Sequence, residues 1–117
     1  MKIKGITWLG TRTDNWDETV AVMRDVLGLK QVKLQPDVAV FDCANGDRVE
    51  IFSPKDTEHR YFRGVVGGFE VDDLEKAVEE LRAAKIRIVG EVQRMSGFAW
   101  IHFYGPDGNV WELTARE

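Results

Sequence analysis

Cysteine and histidine are almost missing from this chain. One cysteine, Cys43, rules out an intrachain disulfide and makes the cytoplasm the expected compartment. Two histidines, His59 and His102, rule out a histidine-rich metal site. No apolar run approaches the roughly 20 residues of a membrane-spanning helix, so no membrane partner is expected. The opening MKIKGITWLG has lysines but no sustained apolar stretch and no small-residue cleavage site, and does not read as a secretory signal. Excess positive charge is also absent. The net charge is −4, the pI is about 5.2, and no basic stripe stands out to neutralise phosphates, which argues against a nucleic-acid partner. Against these absences, the 117 residues are 44% hydrophobic and 31% charged, ordinary for one soluble domain or two small halves sharing a core.

The patterning repeats. Ile3 to Thr13 reads as a strand. Asp14-Asn15 follows as a helix N-cap, with Asn15 and Glu18 spaced as a capping box. Trp16, Val20, Met23 and Leu27 form one helical stripe, and Gly28 is the expected terminator. Strands are expected over Leu29–Leu34, Val38–Cys43 and Arg48–Ser53, the last two joined by the hairpin turn Asn45-Gly46. PKDTEHRYFR, 54–63, reads as a charged, irregular linker in which His59 is a solvated loop residue. The order then recurs: a strand at Val65–Val71, a cap at Asp72-Asp73 with Asp72 and Glu75 spaced as a box, and a helix with the stripe Leu74, Ala77, Val78, Leu81 and Ala84. Strands follow at Ile86–Val92, Phe98–Tyr104 and Val110–Thr114. Trp8 and Val66 hold corresponding places 58 positions apart, as do the caps Asp14 and Asp72; Glu50 and Glu112 are 62 apart. The expectation is an α+β fold of tandem βαβββ modules, module one 1–53 and module two 64–117, forming an open, cup-shaped sheet with a helix over one face of each half.

The most informative stretch is FYGPDGNVWELT, 103–114. Its centre is dense turn chemistry, and the strand after it alternates. Trp111 and Leu113 point one way as a core pair. Glu112 points the other way, where a carboxylate needs solvent, a cation or a catalytic role.

DETVAVMRDVLGL, GFEVDDLEKAVEEL and GPDGNVWEL, in that order, resemble the vicinal oxygen chelate superfamily, also called the glyoxalase, bleomycin resistance protein and extradiol dioxygenase superfamily. The last motif is similar to the family's DPDGN-x-x-E-L, with Gly105 in place of the first Asp. The resemblance covers essentially the whole chain and implies a glyoxalase-like cup, commonly assembled as a homodimer. It also implies a divalent metal held by four side chains, one on the first and one on the last strand of each module. The last-strand positions here are Glu50 and Glu112. The first-strand positions are Trp8 and Val66, neither of which can bind a metal, so half of the ligand set is missing. His102, which alternation places on one face with Trp100 and Tyr104, is a third metal donor if its strand pairs with that of Glu112. Otherwise it is a wall residue bonded to a ligand or a carboxylate.

Alternation also places Trp8, Arg12, Arg48, Phe52 and Glu70 on the cup side. The aromatic residues either fill the cup or offer flat walls to a planar ligand. Arg12 either reaches a carboxylate or solvent, or anchors a ligand anion where the resemblance to glyoxalase I places a substrate-carboxylate arginine. Arg48 is spaced to hold Glu50 ionised. Two functions follow as expectations. The first is a bleomycin-resistance-like protein binding a small aromatic or anionic molecule, with no cofactor and without the full metal site; Trp8, Arg12, Arg48, Phe52, Trp100, His102 and Tyr104 would line the cup. The second is a glyoxalase-like lyase or isomerase in which Glu50 and Glu112 are catalytic and, with His102, hold Mn²⁺, Ni²⁺, Zn²⁺ or Mg²⁺.

Overall fold

The computed structural model describes residues 1–117. Its elements run β1 (Ile3–Arg12), α1 (Trp16–Ala21), a π turn over Val22–Val26, β2 (Lys30–Leu34), β3 (Val38–Asp42), β4 (Arg48–Phe52), β5 (Val66–Val71), α2 (Leu74–Ala83), β6 (Ile88–Met95), β7 (Phe98–Tyr104) and β8 (Val110–Arg116). This is the expected βαβββ order, twice, in an α+β protein. The chain forms two compact units, residues 8–65 and residues 66–117 together with 1–7. β1 contributes residues to both.

In the 8–65 unit the strands lie in the order β2-β3-β4-β1. β4 is antiparallel to β3 across the Asn45-Gly46 turn and parallel to β1. One face packs on α1, burying Val20 with Ala39, Phe41 and Ile51. The helical stripe behaves as expected through Met23 and then changes. Leu27 N–H donates to Val22 O at 2.9 Å, one residue further back than an α-helix allows. The wider turn rotates Leu27 out to 61% exposure, and Leu29 packs on the core instead. Gly28 then reverses the chain at φ +70°, a conformation that an L side chain resists. The helix start differs too. The Asn15 side chain makes no cap; Asn15 N–H instead donates to Thr13 Oγ1 at 3.1 Å, and Thr19 Oγ1 donates to Asn15 O at 2.8 Å.

In the other unit the order is β5-β8-β7-β6. The β7–β8 hairpin puts His102 opposite Glu112 and Trp100 opposite Thr114, and the parallel β5 puts Gly68 beside Glu112. The α2 residues Leu74, Ala77, Val78 and Leu81 are buried against Val71, Ala99, Ile101, Leu113 and Ala115. Ala84, expected in that stripe, is exposed just past the helix end. The N-cap is Asp73 rather than Asp72: its Oδ1 accepts Lys76 N–H at 3.1 Å. Asp72, the residue before, pairs with Lys4 at 3.3 Å, and Glu75 pairs with Arg94, so the expected Asp72–Glu75 box does not form. Leu113 lies in the core as expected, while Trp111 is half-buried and stacks on Phe69 with ring centroids 5.6 Å apart.

The two leucine and isoleucine positions above separate core from surface. Ile51→Ala removes a fully buried side chain and is expected to destabilise by about 2–5 kcal/mol in urea denaturation. Leu27→Ala is expected to stay within about 0.5 kcal/mol of the parent, because the π turn has already moved Leu27 out of the core.

Candidate functional site

The sheet face of the 8–65 unit opposite α1 carries the candidate residues of its first and last strands. The parallel register sets Trp8 beside Arg48, Gly10 beside Glu50 and Arg12 beside Phe52. Gly10 matters for what it lacks. The Trp8 ring folds over it so closely that a Cβ on Gly10 would lie 2.6 Å from Trp8 Cζ2. From there the indole N–H donates to the Glu50 carboxylate. Burial pushes the Glu50 carboxyl above its ordinary value; the Trp8 hydrogen bond and the charges of Arg48, His59 and Lys33 pull it back only in part. Arg48 Nε lies 3.3 Å from Asp42 Oδ1, and its charge favours the ionised form of Glu50.

The charged stretch after β4 is irregular, as expected, but not wholly solvated. It folds onto the same unit, burying Asp56 and Phe62 at 5% and 7% exposure. Phe62 meets Trp8 edge-on at 6.4 Å and Phe52 at 5.9 Å. His59 corrects the sequence-based expectation most sharply. Its side chain is only 15% exposed, its ring stacks on Phe52 at 4.0 Å, and its Nδ1 lies 2.9 Å from Asp56 Oδ1. Arg12 is what pins this loop. It donates from Nε and Nη2 to Asp56 O at 3.3 and 3.1 Å and from Nη2 to Pro54 O at 3.1 Å, with Asp56 Oδ2 3.5 Å from Nε. Asp56, His59 and Phe62 were missed because strand alternation assigns faces only within strands. The usable signal was compositional: Tyr61-Phe62 in an otherwise charged run, where two adjacent aromatics argue for burial.

In the 66–117 unit, the face opposite α2 carries Glu112, His102, Trp100, Tyr104 and Glu70. Glu112 and His102 are both buried, and Glu112 Oε2 lies 2.9 Å from His102 Nε2. The hairpin pairing anticipated for His102 is therefore present. Trp100 and Tyr104 are half-buried, with the Arg87 guanidinium 4.4 Å over the Tyr104 ring. Glu70 is buried but bracketed by cations, with Arg116 Nε at 3.2 Å and Lys4 Nζ at 3.3 Å. Burial pushes its carboxyl up, and the hydrogen bonds from Arg116 and Lys4 outweigh that and hold it below its usual value.

These donors do not fit a resident divalent metal within either unit. No group of three or more His, Cys, Asp or Glu side chains is gathered in metal-binding reach. In the 8–65 unit, the side chain on Glu50 is that of Trp8, an indole that donates a hydrogen bond to it and coordinates nothing. In the 66–117 unit, the place corresponding to Trp8 is Val66, apolar and 1% exposed.

Glu50 and Glu70 are expected to respond oppositely to removal of charge. A raised carboxyl stabilises the fold fully below the unfolded-state value, about pH 4.3, and that contribution is lost as pH rises through the folded value. Glu50→Gln keeps an acceptor for Trp8, so it is expected to raise Tm at pH 7 and to lose that gain below pH ~4. A lowered carboxyl contributes above the unfolded-state value and loses its contribution as pH falls through the folded one, so Glu70→Gln is expected to lower Tm at pH 7 and to be nearly neutral in acid. Thermal melts of both variants across pH check the two signs.

The comparisons with known proteins bear on fold and family. No curated protein sequence matches the chain. Among solved structures, methylmalonyl-CoA epimerase from Mycobacterium tuberculosis is similar at TM-score 0.76 and 19% identity, covering 98% of this chain and 89% of that one. Streptomyces coelicolor methylmalonyl-CoA epimerase in complex with 2-nitronate-propionyl-CoA is similar at TM-score 0.74 and 17% identity, covering 98% and 99%. The Mn(II)-bound glyoxalase from Novosphingobium aromaticivorans reaches TM-score 0.78 at 20% identity, over 97% of this chain and 39% of that one. At these identities the likeness establishes the fold alone. The sequence itself matches the Glyoxalase/Bleomycin resistance protein/Dioxygenase superfamily over residues 5–113, and the chain belongs to that superfamily.

Proposed function

We propose that the protein binds a small planar aromatic molecule on the face that carries Trp8, Glu50 and Phe52, without a full family metal site. The observation that supports this reading most directly is the Trp8 indole lying over Gly10 with its N–H on Glu50. A position where the family's metal enzymes keep a ligand is given to a ring, and the neighbouring carboxylate is held by that ring. Half-buried Trp8 and Tyr61 offer flat apolar surface, and Glu50 offers one directed polar contact, the combination typical of small-molecule sites. An anionic ligand is the less favoured alternative, because Nε and Nη2 of Arg12 are already engaged by Asp56 and Pro54. On the 66–117 unit, Trp100 and Tyr104 flank the His102–Glu112 pair and are the ring surfaces there.

A second reading is a divalent-metal-dependent lyase or isomerase using Glu50 and Glu112. It draws support from the Mn(II)-bound glyoxalase and the epimerases among the structural relatives, and from the desolvated Glu50 carboxyl, a property of general bases.

Calorimetric titration with 4-nitrophenol tests the first reading. Saturable binding is expected, weakened about tenfold by Trp8→Ala, the equivalent of ~1.4 kcal/mol of ring contact. Gly10→Ala is expected to weaken it comparably, since the new Cβ must push the Trp8 ring off its seat. Elemental analysis and thermal shifts with Mn²⁺, Ni²⁺ and Zn²⁺ separate the two readings. The expected result is no retained metal and no shift in Tm. Metal that is retained, and lost on mutating Glu50, Glu112 or His102, would favour the lyase or isomerase.

A further inference from the structure

We propose that residues 54–64 are a strap that gates the face carrying Trp8, Glu50 and Phe52, and that Arg12 is its latch. The gate deepens the binding reading above and rests on it; the latch does not. The strap has neither helix nor strand along its length, and it is two-sided. Lys55, Thr57, Glu58, Arg60 and Arg63 are exposed, whereas Asp56 and Phe62 are buried. The inner side lies on the site. The His59 ring is stacked on Phe52 at 4.0 Å with 21° between the planes, and Phe62 meets both Phe52 and Trp8 edge-on. Phe52 is left buried. A planar ring stacking on Phe52 from that side needs the place that His59 occupies. Trp8 and Tyr61 stay half-buried while the strap is closed, so a ligand reaches them first and Phe52 only after the strap opens.

Polar contacts tie the strap down at both ends. Arg12 donates to the carbonyls of Pro54 and Asp56, with Asp56 Oδ2 3.5 Å from its Nε, and Thr11 Oγ1 donates to Gly64 O at 3.3 Å. Both residues end β1, the strand that carries Trp8. Opening returns the Arg12 guanidinium, the Asp56 carboxylate and these carbonyls to water, which replaces most of what the contacts supply. Water does not replace the packing of the His59 and Phe62 rings on Phe52 and Trp8. A planar aromatic ligand does. A ligand that gains contacts only in the open form shifts the population toward it.

Limited trypsin digestion read by mass spectrometry reports on the strap, because Lys55, Arg60 and Arg63 are cleavable residues on its exposed side. In the parent protein, cleavage at these three is expected in urea well below the unfolding transition, with only a weak dependence on urea, the mark of local opening. Arg12→Gln is expected to raise that rate about tenfold, as loss of a charge-assisted hydrogen bond does. Arg12→Lys keeps the charge without the fork and is expected to fall between the two. Saturating 4-nitrophenol is expected to speed strap cleavage in the parent. Arg12→Gln is expected to bind it about three- to tenfold more tightly in calorimetry, because more of the protein is open. Circular dichroism confirms that the variants are folded. Strap cleavage that follows only global unfolding, or a rate unchanged in Arg12→Gln, overturns the latch. A ligand that slows strap cleavage, or binds Arg12→Gln no more tightly, overturns the gate and leaves the binding reading standing. No binding heat with either protein overturns the binding reading and the gate together, while the cleavage rates alone still judge the latch.

Discussion

An indole N–H bonded to a half-buried carboxylate is the contact that most shapes this chain's candidate site. Trp8 and Glu50 stand on neighbouring parallel strands, and the register pairs Gly10 with Glu50. The Trp8 ring lies over Gly10, where any larger side chain would meet it. The consequences run outward. The ring gives Phe62 an edge to pack on, Phe62 and Phe52 give His59 a surface, and the loop bearing Asp56 and His59 is drawn onto the sheet and tied there by Arg12. Trp8 is thereby the first member of an aromatic cluster.

Three buried or half-buried carboxylates show how differently one fold treats the same chemical group. Glu70 sits between Lys4 and Arg116 and is stabilised as an anion. Glu112 faces an imidazole at 2.9 Å. Glu50 has one neutral donor and more distant cations, and burial prevails, raising its carboxyl. Of Glu50 and Glu70, the one left undercompensated is Glu50, which the Trp8 indole contacts. Desolvation without full pairing is a standing cost to stability and a common mark of a site that does something else.

Most of the architecture was legible in the residues. The 58-position offset between equivalent strands, the turn signals and the hydrophobic periods locate nearly every element to within a residue or two. Errors fell where a local choice depends on a neighbour. Asp73 caps α2 because Asp72, the other candidate, meets Lys4 from the far end of the sequence. Leu27 leaves its stripe because a single hydrogen bond to Val22 widens the turn. His59 looked solvated because charges surround it in sequence, while in space its neighbours are Phe52, Phe62 and Asp56.

By itself, then, the sequence determined the βαβββ repeat and the alternation that sets Glu50 and Glu112 opposite the helix-packed faces. Those follow from residue identity and period, which are local. The tertiary structure alone decided that Trp8 donates to Glu50, that Arg12 donates to the carbonyls of Pro54 and Asp56, and that the loop bearing Asp56 and His59 folds onto the sheet. The Trp8–Glu50 and Arg12–Asp56 contacts join residues tens of positions apart, across a strand register whose choice no window of sequence contains.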